Sequence, residues 1–113
     1  MSLEIIPMDR WDNFLESFIS IHGTNLFNIE KLKMRNKNIL IANDLKLRAI
    51  DIKRNEFDVS TIIIGDKLGT ELSHLIKEVK NITLERDING EDKALYINSS
   101  EDNIVVSIHN EII

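Results

Sequence analysis

Between residues 8 and 22 the apolar positions recur at steps of three and four. Met8, Trp11, Phe14, Leu15, Phe18, Ile19 and His22 fall on one side of a helical projection, and Asp9, Asp12, Asn13, Glu16, Ser17 and Ser20 on the other. Pro7 presets the backbone for a first helical turn, and Gly23 suits the left-handed position that often ends a helix. The spacing predicts an amphipathic helix over about residues 8–22. Its polar side carries three acids, Asp9, Asp12 and Glu16, against Arg10, the wrong sign for an anionic lipid surface. The apolar face is therefore expected to cover one face, or one open end, of a sheet.

Beyond Gly23 the period drops to two. Strands are predicted at about 26–32, 38–42, 45–53, 57–64, 72–76, 81–86, 94–98 and 104–109, short, β-branched and separated by turn residues. Asn89-Gly90 predicts a two-residue hairpin turn with both positions at positive φ. Leu45 and Leu47 share one parity and Ile50 and Ile52 the other, so a β-bulge near Arg48-Ala49 is needed to keep one face inward. Ile62 and Ile64 oppose Phe57, Val59 and Ile63 in parity, which predicts a central strand covered on both faces. The expected fold class is α+β: an N-terminal amphipathic helix packed on a curved antiparallel sheet, or half-open barrel, of about seven to eight strands. With 113 residues and no linker-like run, the chain reads as a single domain, 1–113.

Composition narrows the chemistry. There is no cysteine, which excludes disulfides, thiolate metal sites and a cysteine nucleophile. The first residues resemble no secretory signal, and no apolar run is long enough to span a membrane, so the cytoplasm is the expected location and no membrane partner is expected.

Charge is unevenly spread. Residues 31–54 hold eight bases against Asp44 and Asp51, a segment of +6 in a chain of net −5, leaving −11 for the rest. Lys31, Lys33, Arg35 and Lys37 alternate, so a continuous strand would set them on one face as a candidate anion site. The segment has no aromatic residue on which a base could stack, and the remaining charge repels phosphate, so a solvated strand face is the preferred reading over nucleic-acid binding.

In order along the chain, Ile6-Pro7 with Trp11, Phe14, Phe18 and His22-Gly23, then Asp44-Leu45 with Leu47, Ile64-Gly65-Asp66, His74 with Ile76, Ile82-x-Leu84-Glu85, and Gly90 before Ala94-Leu95-x-Ile97 form a recognisable spacing. It resembles a small, largely bacterial single-domain family of unknown function. That resemblance implies a helix followed by an antiparallel sheet and lends no activity. Asn25 stands where the pattern would have an aromatic and Val79 where it would have proline, and the run at 31–37 is not part of it.

Catalytic motifs are lacking. Gly65-Asp66-Lys67-Leu68-Gly69-Thr70 misses the Lys-Ser/Thr of a phosphate loop, and there is no nucleophile elbow, dinucleotide fingerprint or His-Glu-x-x-His. Glu91-Asp92 and Glu101-Asp102 fall in predicted turns, where solvated acids are ordinary. His22 lies on the apolar arc of the helix, and His74, between Leu72 and Ile76 in parity, is expected to face inward. With Trp11 above and Asp66 in a nearby loop, the two would form a ligand, metal or proton-transfer site if they converged. Structural, hydrogen-bonded histidines are the preferred reading, and neither metal nor cofactor is expected. The leading expectation is a non-enzymatic binding or interaction module acting through its sheet or as a homodimer. A small-molecule or metal site near His22 and His74 comes second, a small hydrolase or isomerase third.

Overall fold

A 3-10 turn (Met8–Arg10) leads into the helix α1 (Trp11–Ile21) in the computed structural model, which describes residues 2–32 and 38–109. Trp11, Leu15 and Phe18, spaced four and three apart, are the buried residues of α1. Gly23 does not take the left-handed conformation expected of it. The helix instead ends with the His22 N–H on the Phe18 carbonyl and the Asn25 N–H on that of His22.

The strands are β1 (Ser2–Ile6), β2 (Leu26–Leu32), β3 (Asn38–Arg54), β4 (Val59–Lys67), β5 (Thr70–Ile76), β6 (Val79–Arg86), β7 (Asp92–Ser99) and β8 (Asn103–His109). They form one antiparallel sheet in the order β1-β6-β7-β8-β2-β3-β4-β5. β5 and β6 stand six places apart in that order, yet only Lys77 and Glu78 join them. A two-residue link spans at most about 10 Å, so the sheet curls until its ends nearly meet. It stays open: among the described residues no ladder pairs β5 with β1 or β6. The concave side holds the core, including Phe27, Ile29, Ile63, Ile82, Leu84, Leu95, Ile97, Ile104 and Val106, with α1 packed onto it.

Several expectations change. β1 is a strand the alternation did not reveal, because Leu3 and Ile5 point outward and are 65% and 70% exposed. Phe57 is not in a strand; it lies in a turn where the Asn55 carboxamide oxygen accepts the N–H groups of Phe57 and Asp58, and it is 92% exposed. Asn89-Gly90 belongs to a five-residue loop, 87–91, in which only Gly90 has positive φ and Asp87 Oδ1 accepts the N–H groups of Asn89 and Glu91. The outward Ile62 and Ile64 are half-buried, and α1 packs beside β3. No helix among the described residues is long and apolar enough to cross a membrane.

β3 organises the rest. Where two strands were expected, one of 17 residues runs through, bent at Asp44, whose φ is 51° and whose N–H bonds the Asn28 carboxamide oxygen at 3.1 Å. The ladder slips between Leu47 and Ala49, the bulge the parity change required, so Leu45, Leu47 and Ile50 are all buried. Residues 38–46 pair with β2 and residues 46–54 with β4. Among the described residues each half of β3 therefore has one edge without a strand: 38–45 on the β4 side and 47–54 on the β2 side.

Candidate functional site

The helix lies beside the second of these edges. Between α1 and residues 48–53 runs a groove of about 460 Å³, with Asp12, Glu16 and Ile19 on its helical wall. Leu15 and Ile50 form an apolar floor, and Asp12 Oδ2 accepts a hydrogen bond from Arg54 at 2.7 Å. Strand residues of both parities line it, so it follows the edge of β3 rather than one face. A strand presents backbone N–H and C=O groups to both sides; here one side bonds β4 and the other faces the groove.

At the far end of α1, His22 is held on all sides. Its ring packs on Phe18, with centroids 4.6 Å apart, and edge-on against Phe27. Nδ1 lies 2.9 Å from Asn25 Oδ1 and Nε2 lies 2.9 Å from Asp92 Oδ2. Asp92 also approaches Arg86, which donates to Glu4 at 2.8 Å. Both ring nitrogens are thus engaged, and the imidazole ties the helix end to β7, β6 and β1. Asp92 is no solvated turn acid, and neither is Asp102, which pairs with Lys31 at 2.8 Å.

The other sequence candidates stand apart. Trp11 is 1% exposed, and its indole N–H donates to the Ile6 carbonyl at 2.8 Å, leaving no polar atom for a ligand. His74 faces the concave side opposite Ile63 and senses Asp102 and Lys31, beyond the end of β7 remote from Asp92 and His22. Asp66, three residues from Ile63 along β4, points to the convex side. Lys31 has the concave parity of Ile29 and is ion-paired; Lys33, Arg35 and Lys37 lie outside the described residues. Among the described residues no three of His, Asp and Glu stand together as a metal site.

One polar pair escaped the sequence reading. Glu85, 5% exposed on the convex face, accepts a hydrogen bond from the Tyr96 hydroxyl at 2.7 Å, and Lys93 Nζ lies 3.7 Å away. The residues are adjacent only through the β6–β7 register, although their shared outward parity was legible. Burial, and then the bond to Glu85, push the Tyr96 phenol up to about 12. The fold thus disfavours the phenolate, so stability is whole below pH ~10 and falls as pH rises toward 12. Because the chain has one tyrosine, alkaline absorbance reads this group alone. A native midpoint near 12, lowered by Glu85→Gln, is expected; a native midpoint near 10 would contradict the pairing.

Comparison with protein-family models, curated proteins and solved structures finds no match.

Proposed function

We propose that the protein is a non-enzymatic binding module that accepts an extended segment of a partner protein as an added strand along β3. The observation that carries this is the edge of residues 48–53 beside α1, which no strand among the described residues pairs, over an apolar floor. Six residues of strand offer about 20 Å of main-chain bonding. In strand addition the backbone supplies affinity, and pockets for alternate side chains supply specificity. Ala49 leaves such a space on the strand wall. In this reading the sheet is a half-open barrel, with α1 lying along the opening so that the edge of β3 stays accessible.

A homodimer through β1 is the second reading, favoured by the exposure of Leu3 and Ile5 on an edge strand. Pairing β1 with its copy so that Leu3 meets Ile5 sets Glu4 against Glu4, and like charges directly opposite destabilise a ladder. The β3 groove is preferred for that reason.

The test is selection of binders from a displayed random-peptide library, followed by mapping of amide shifts. Binders should alternate apolar residues, perturb residues 48–53 and 12–19, and lose affinity at least about tenfold on Ala49→Tyr, which fills the groove. Binders that map to β1, or that ignore Ala49→Tyr, would replace this reading with another.

A further inference from the structure

The other free edge of β3 borders a second, smaller pocket. It has a volume of about 140 Å³ and lies between β5 and the arm formed by β2 and β3. Ile29, Ala42, Leu45, Ile63 and Leu72 make its wall apolar, and Ser73 and His74 are its polar residues, of which His74 shares the concave parity of Leu72. We propose that this pocket binds a small apolar molecule carrying one hydroxyl group, of about the size of phenol, with the hydroxyl hydrogen-bonded to His74.

Three observations lead there. The first is size: a cavity of about 150 Å³ with aliphatic and aromatic walls holds benzene, and this pocket is close to that volume. A ring with one further heavy atom fits if that atom sits at the mouth. The second is the state of His74. No hydrogen bond to its ring is found among the described residues, although the side chain is half-buried in an apolar wall. Its ring nitrogens are open to solvent rather than sealed in the core, so the polar atom of a ligand in the pocket can bond them in place of water.

The third observation selects a hydroxyl over a carboxylate. Among the described residues Lys31 is the cation that His74 senses, and it is already paired with Asp102 at 2.8 Å. Burial, opposed by Asp102 and aided by Lys31, holds the imidazole below its ordinary value. A neutral imidazole has one donor and one acceptor, which suits a hydroxyl and gives a carboxylate no counter-charge.

Phenol, benzene and benzoate separate these ideas when titrated into the full chain and followed by methyl and His ring resonances. Phenol should give saturable shifts at Ala42 and His74, benzene the same methyl shifts at least about tenfold more weakly, and benzoate none. His74→Leu should bring phenol and benzene to equal affinity, and Ala42→Leu should abolish both. Thermal unfolding confirms that each variant is folded. Equal binding of phenol and benzene to the unaltered chain, tighter binding of benzoate, or shifts that map elsewhere would each overturn the proposal.

Discussion

Trp11→Ala is expected to destabilise the fold by about 3–5 kcal/mol, the range for truncating a large aromatic in a core. The side chain is 1% exposed where the first turn of α1 meets the sheet, and its indole N–H satisfies the carbonyl of Ile6, the last residue of β1. Truncation leaves both a cavity and an unpaired carbonyl beside the core. Trp11→Phe separates the two losses: it keeps most of the packing, removes the donor, and should cost about 1–3 kcal/mol. As the chain has one tryptophan, its emission reports this site alone, and native fluorescence should be blue-shifted until denaturant exposes it. Native emission like that of free tryptophan, or a cost under about 1 kcal/mol for the alanine variant, would show that Trp11 does not anchor the helix.

This anchor was legible in the sequence because it depends on local periodicity alone. The same is true of the bulge at Arg48, where a change of parity between Leu47 and Ile50 demands an extra residue, and of His74, whose inward side follows from its neighbours Leu72 and Ile76. What depends on pairing was not legible. β1 carries its exposed apolar residues on the convex face, so its pattern has the wrong sign for a strand covering a core. The bend at Asp44 read as a strand end, although a single left-handed residue lets the chain turn and the ladder continue. His22 meets Asp92 across 70 residues, and no local signal marks that partner. Both candidate sites follow from β3 exchanging partners at Lys46, a matter of which strands stop where. Side-chain pattern shows which face of a strand is buried; it carries no mark of which edge is left free.

Gly65→Ala is the variant in which a single added carbon should cost the most. Gly65 sits in β4 opposite Leu47 and Leu72, with a φ that any residue can adopt. In an ordinary strand position alanine would gain about 0.5–1 kcal/mol over glycine from backbone entropy. Here a Cβ would lie 2.4 Å from Leu45 Cδ2 and 2.5 Å from its Cγ. Leu45 is 1% exposed and could yield only by swinging into the small pocket it helps to line, at the loss of its own contacts in the core. Overpacking of this kind costs about 1–3 kcal/mol or more, which outweighs the entropic gain, and Gly65→Val should be worse. A double-mutant cycle identifies the cause. Leu45→Ala alone should cost about 2–5 kcal/mol, but in its presence Gly65→Ala should become nearly neutral, because the methyl enters the vacated space. The coupling should therefore exceed the about 0.3–0.5 kcal/mol scatter of independent sites. Additive costs in urea unfolding would mean that Leu45 does not set the requirement for glycine, and that the close approach of β4 to the bend in β3 is not what fills this side of the core.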